Sequence, residues 1–128
     1  MTASTLYVCI SCRGTPPGPP DAARPGARLL AAVERLAAEQ PQDMQLSIVP
    51  VECLSNCQRG CSAAIAAPGK WTYVIGDLDP DRHAGDIVAF ARLHQGHQDG
   101  LPVWRERPAH VRKSTIARVP PMLNHSER

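Results

Sequence analysis

The sequence predicts an α/β fold in which helices cover a small mixed β-sheet. The elements run strand-helix-strand-strand-strand-helix, and an irregular basic C-terminal arm follows them. Three observations predict this. Short runs of β-forming residues alternate with two longer segments of helical character. Proline- and glycine-rich stretches separate the runs. Beyond Leu101 no sustained period remains.

Residues 5–10, Thr-Leu-Tyr-Val-Cys-Ile, read as the first strand. The prolines from Arg13 to Asp21 remove backbone donors and fix φ, so that stretch is a long stiffened loop, a kind of segment that is often functional. From Pro25, the residues Leu29, Leu30, Val33, Leu36 and Ala37 recur at helical spacing, and Pro41 stops the helix. Leu46 to Val51 is the second strand. Ser62–Ala67 and Trp71–Ile75 are expected to form an antiparallel hairpin turned by Pro68-Gly69-Lys70. Asp77-Leu-Asp-Pro-Asp81 supplies a cap and an acidic first turn for a helix from about Pro80 to Leu93. Ile87, Val88, Ala91 and Leu93 give that helix an imperfect apolar face, and Gly96 and Gly100 end it. Pro102, Pro108, Pro120 and Pro121 break up the remainder. This order matches a thioredoxin-like core over residues 1–100, with the arm at 101–128.

At 128 residues the chain is one ordinary domain, able to bury its own core. Only five aromatic residues are present, so Ala, Val, Leu and Ile must supply most of the packing. No apolar stretch approaches the ~20 residues of a membrane helix. The N-terminus lacks the basic-then-apolar pattern of a secretory signal, which leaves the cytoplasm as the expected location. The net charge of +2 conceals an asymmetry. Residues 1–100 carry eight Lys/Arg and ten Asp/Glu, whereas Arg105, Arg107, Arg112, Lys113, Arg118 and Arg128 face only Glu106 and Glu127 in the arm. Such a basic segment is commonly a solvated tail, and its functional version is docking to an acidic redox partner. Nucleic acid is not an expected partner, because no stacking aromatics interleave the basic residues.

The five cysteines fall into two groups. Cys9 and Cys12 end the first strand; Cys53, Cys57 and Cys61 follow the second. In a reducing compartment, clustered cysteines point to metal ligation or redox chemistry rather than to disulfides. Thiolates are soft ligands that suit zinc and iron–sulfur clusters, and a 2Fe–2S cluster takes four of them from loops able to wrap it. The segment Cys53-Leu-Ser-Asn-Cys-Gln-Arg-Gly-Cys61 contains the turn-forming residues such wrapping needs. Spacing alone does not separate zinc from iron–sulfur. Thiol–disulfide exchange at Cys9-Ile-Ser-Cys12 would call for a helix N-terminus directly behind it, and Gly14 to Pro20 delay the helix. His94 and His97 are read as solvated. Trp71 is read as hairpin packing, and Trp104 as an anchor to the core or to a partner.

Cys53-x3-Cys57, the following Arg59-Gly60 and the run Lys70-Trp71-Thr72-Tyr73 resemble the second half of thioredoxin-like 2Fe–2S ferredoxins. Trp104-Arg-Glu-Arg-Pro108 and Ile116-Ala-Arg-Val-Pro-Pro121 are similar to the ending of small bacterial predicted metal-binding proteins often encoded near cobalamin-biosynthesis genes. The resemblance implies a small electron carrier with a 2Fe–2S cluster, possible homodimer formation and a link to a reductive or cobalt-handling step. It makes Cys9, Cys53 and Cys57 ligands. The family's fourth ligand lies about a dozen residues after the first, where this chain has prolines, so either Cys12 or Cys61 completes the set. The rival reading is a zinc- or cobalt-binding module for metal delivery or sensing, without redox activity. No phosphate loop, nucleophile elbow or dinucleotide fingerprint is present, so an enzyme is not expected.

Overall fold

In the first strand, Leu6 and Val8 are fully buried while Thr5 and Tyr7 are half-buried, the period of a strand with one face against a core. The computed structural model describes residues 4–12, 24–39 and 46–122, and at Cys57 the backbone alone. The stiffened loop expected at Arg13–Asp21, the stop at Pro41 and residues 123–128 lie outside the described residues.

The strands are β1 (Thr5–Cys9), β2 (Ser47–Val51), β3 (Ala63–Ala66), β4 (Thr72–Ile75) and β5 (Thr115–Val119); the α-helices are α1 (Pro25–Ala38), α2 (Ala84–Gly96) and α3 (Ala109–Ser114). The sheet order is β2-β1-β3-β4-β5. β2 runs parallel to β1, and the other three pairings are antiparallel. Pro50 sits in β2, opposite Val8, and a proline without an N–H is tolerated there because β2 is an edge strand. The expected hairpin is present: Pro68 and Gly69, with φ +73°, turn the chain, and the Lys70 N–H donates to the Ala67 carbonyl at 3.1 Å.

Leu29, Val33 and Ala37 form the buried face of α1, with Leu30 and Leu36 packed beside it, as the spacing predicts. α2 starts at Ala84, later than expected, because Asp79 organises a turn of its own. The Asp79 carboxylate accepts from the Asp81 N–H at 2.8 Å, and its carbonyl accepts from the His83 N–H at 2.8 Å. The buried face of α2 is broad: Ala84, Ile87, Val88, Phe90, Ala91 and His94. Phe90 meets Tyr73 of β4 edge-on, with ring centroids 4.9 Å apart. Among the described residues, no helix is long and apolar enough to cross a membrane.

Two readings are corrected here. The described part of the segment expected to be an irregular arm, residues 101–122, carries regular structure: Trp104–Glu106 make a 3-10 turn, α3 buries Val111, and β5 extends the sheet beside β4. Its period escapes sequence analysis because β5 is a short edge strand whose Ala117, Arg118 and Val119 are exposed. Two of its arginines are engaged rather than free. Arg118 lies 5.2 Å over Trp71, and Arg107 lies 5.6 Å over both Tyr73 and Trp104. Trp104 itself remains 59% exposed. Trp71 is hairpin packing: it stands where β4 begins, the opposite end of that strand from the one nearest the cysteines.

His94 is the second correction. It is fully buried rather than solvated, with Nδ1 2.7 Å from the Ser4 hydroxyl and Nε2 2.6 Å from the Trp71 carbonyl. The nearby Lys70 ammonium is also buried and caps α2 by donating to the carbonyls of His94 and Gln95 at 3.1 and 2.7 Å. Burial, and then the Lys70 charge, hold His94 below the usual imidazole range against the opposing bond to Trp71. A depressed folded-state value means stability is complete above about pH 6.5 and is lost as the pH falls through that lowered value. His83, also lowered, contributes in the same direction. We expect urea stability to decline from about pH 7.5 to about pH 5. His94→Phe should cost about 1–3 kcal/mol at the upper pH, by orphaning two buried groups, and should flatten the decline. Equal slopes in both proteins would show that His94 is not held neutral.

Candidate metal centre

Strand direction decides where the cysteines meet. β1 and β2 are parallel, so Cys9 pairs with Val51 and the chain leaves both strands at the same end of the sheet. β3 is antiparallel to β1 and begins at that end, where the Cys9 N–H donates to the Ser62 carbonyl at 3.1 Å. The loops carrying Cys12, Cys53–Cys57 and Cys61 therefore share one end of the sheet.

Cys9, Cys12 and Cys61 are all buried there. Cys61 is hydrogen-bonded to Cys12 and lies within electrostatic reach of Cys9 and Arg28. The Cys9 thiol donates to the Glu52 carbonyl at 3.6 Å, which ties the first cysteine group to the base of the second loop. Burial pushes the Cys61 thiol up to about 12, with further increments from the charge and hydrogen bond of Cys12 and the charge of Cys9; Arg28 opposes them. In the metal-free chain Cys61 is thus a thiol, and any metal that it binds must displace its proton.

Cys53 differs. It is exposed, and its sulfur accepts the Ser55 N–H at 3.2 Å, in a turn where Ser55 takes a positive φ of 56°. Cys57 opens the 3-10 turn Cys57–Arg59 that follows. Two devices hold this loop. The Asn56 amide donates to the buried Ser62 hydroxyl at 2.8 Å, and Arg59 pairs with Asp77 at 2.7 Å. Cys61 and Leu78 exchange backbone hydrogen bonds at 3.0 and 3.2 Å, so the segment after β4 acts as a short strut for the third group.

The start of α1 closes the site from the helix side. Gly26 donates its N–H to the Cys12 carbonyl at 3.2 Å, and a Cβ at Gly26 would overlap the Cys9 carbonyl. The sequence reading placed this helix too far from Cys9-Ile-Ser-Cys12 to influence it. In space, the helix start returns to the same loop.

The structure thus brings Cys9, Cys12 and Cys61 together and places Cys53 on the adjoining loop, where the Cys57 backbone opens the 3-10 turn that leads to Cys61. Among the described side chains, no group of three or more His, Cys, Asp or Glu is arranged to hold a metal ion as they stand. The chemistry of the donors nonetheless fits a thiophilic metal or cluster, since the buried groups that converge among the described residues, Cys9, Cys12 and Cys61, are thiols.

Residues 6–121 match the sequence model of the family described as "Protein of unknown function (DUF1636)", and the chain belongs to that family. No curated protein matches it. Among solved structures, the chain is similar to a thioredoxin-like [2Fe-2S] ferredoxin from Aquifex aeolicus, at 22% identity, 97% coverage of this chain, 100% of the other and a TM-score of 0.59. A crystal structure of the wild-type thioredoxin-like [2Fe-2S] ferredoxin from the same organism gives 21% identity, coverage of 91% and 99%, and a TM-score of 0.57. A cysteine-to-serine variant of it gives 19% identity, 89% and 98% coverage, and 0.56. The likeness establishes the thioredoxin-like fold that the element order predicts.

Burial makes a direct prediction for the metal-free protein. Alkylation followed by peptide mapping should label Cys53 at least about tenfold faster than Cys12 or Cys61. Gly26→Ala, which forces α1 away from the Cys9 carbonyl, should accelerate Cys12 and Cys61 while leaving the Cys53 rate unchanged. Uniform labelling of the three in the wild-type protein would contradict the arrangement.

Proposed function

We propose that this DUF1636 protein is a small iron–sulfur protein of the 2Fe–2S type that carries single electrons, with cysteine thiolates holding the cluster at the shared end of β1, β2 and β3. The observation that carries the reading is the convergence of buried thiols from two sequence groups at one sheet end. Similarity to [2Fe-2S] ferredoxins supports it.

In this reading Cys9, Cys53 and Cys57 are ligands, and Cys12 or Cys61 completes the set. The bond between Cys12 and Cys61 makes the two interchangeable neighbours: whichever ligates, the other packs beside it. When bound, the cluster supplies one-electron transfer. The chain's own residues do the remainder. The buried wall around Cys9 and Cys61 excludes water from one side, the Ser55 N–H stabilises charge on the Cys53 sulfur, and the exposed Cys53 loop is the face where a partner would approach. Exposed Arg105, Arg112 and Lys113 favour an acidic redox partner. The client, taken from the resemblance, is a reductive or cobalt-handling step near cobalamin synthesis.

Anaerobic purification or reconstitution with iron and sulfide should yield a brown protein with two iron and two sulfide per chain. Single changes of Cys9, Cys53 or Cys57 to Ser should abolish or strongly shift its visible spectrum. Of Cys12→Ser and Cys61→Ser, one should do the same and the other should not. A colourless protein that holds one zinc tightly and does not take up iron and sulfide would establish the zinc module instead.

A further inference from the structure

A second constellation lies outside the cysteine loops. The first turn of α2, the residues just before it and one face of α3 border an open cleft of about 360 Å³ lined by Arg82, His83, Asp86, Ala109, His110 and Lys113. The two imidazoles stack, with centroids 3.7 Å apart and planes 17° from parallel. Backbone partners set both tautomers. His83 Nδ1 accepts the Asp79 N–H at 2.8 Å, so its neutral ring carries the proton on Nε2. His110 Nε2 lies 3.0 Å from the Gly76 carbonyl, which can only accept, so its neutral ring has a free lone pair on Nδ1.

We propose that this cleft binds a phosphate-class oxyanion that retains a P–OH group, recognised by the donor and acceptor nitrogens of the stacked histidines between two cations. Arg82, Lys113 and the His83 Nε2–H face the charged oxygens. The P–OH donates to His110 Nδ1 or to the Asp86 carboxylate. Sulfate has four acceptor oxygens and no donor at neutral pH, and it would set an oxygen against both that lone pair and that carboxylate. Such a mismatch leaves polar groups unpaired and produces strong discrimination.

The charge environment agrees. Burial, the His110 ring and Arg82 lower the His83 pKa, opposed by Asp86 and Asp79, which favours the neutral His83 ring. Lys113 adds a further positive charge from α3. The inference is independent of the cluster reading, because no cysteine lines the cleft.

The test is a two-dimensional NMR titration of the full chain at constant ionic strength, with inorganic phosphate, sulfate and methyl phosphate as probes. At about pH 7.5 we expect saturable shifts centred on Arg82, His83, His110 and Lys113 with phosphate, and binding weaker by about fivefold or more for sulfate and for the methyl phosphate dianion, which lacks P–OH. Arg82 and Lys113 are exposed, so Arg82→Gln and Lys113→Gln should keep the fold while weakening phosphate about tenfold. Shifts that do not saturate, that sulfate reproduces equally, or that survive both substitutions would overturn the proposal.

Discussion

The ladder on either side of β1 is the constraint on which the rest of the structure depends. β1 is hydrogen-bonded to a parallel neighbour and to an antiparallel one, so the exit of β1, the exit of β2 and the entry of β3 coincide. Each of those three points carries cysteine. Turning β2 over would send Cys53 and Cys57 to the far end of the sheet. The parallel pairing requires a crossover, which α1 provides, and α1 returns so closely that only glycine fits at Gly26 against the Cys9 carbonyl. The crossover that makes the pairing feasible also forms one wall of the site.

The metal-free site is a compromise between packing and reactivity. Cys9, Cys12 and Cys61 sit in the apolar core beside Leu29 and Leu78, where thiols pack as small hydrophobes, and burial raises the Cys61 thiol. Their polar needs are met locally, by each other and by the Glu52 carbonyl. The second loop is built differently: Cys53 is exposed, and the loop is held from its flanks by Asn56–Ser62 and Arg59–Asp77. In the proposed reading, a buried half and an exposed half suit thiolate ligation, because metal binding would have to remove thiol protons.

Much of the fold is legible in the sequence, since strands β1 to β4 and helix α1 are specified by local signals: β-forming runs, one clean helical stripe and the Pro68-Gly69 turn. What escapes is specified by tertiary contact. β5 is a strand because β4 offers an open edge and because Arg118 stacks on Trp71, and neither fact is visible in Thr-Ile-Ala-Arg-Val. His94 looks like a solvated helix-end residue until Ser4 and the Trp71 carbonyl arrive from distant positions. His83 and His110 stack across twenty-seven positions of sequence, with no spacing signal to announce them. At the candidate site, the grouping of cysteines was readable from their strand-end positions. The direct bond between Cys12 and Cys61 was not, because it depends on which way β3 runs.

X-ray absorption at the metal edge of the loaded protein tests the central claim most directly, that the cysteines of both groups close on one sulfur-only centre. The account predicts an iron edge with an all-sulfur first shell and a short iron–iron scattering path, both lost when Cys9 is replaced by Ser. A single metal with nitrogen or oxygen in its first shell, or a spectrum indifferent to Cys9, would contradict it.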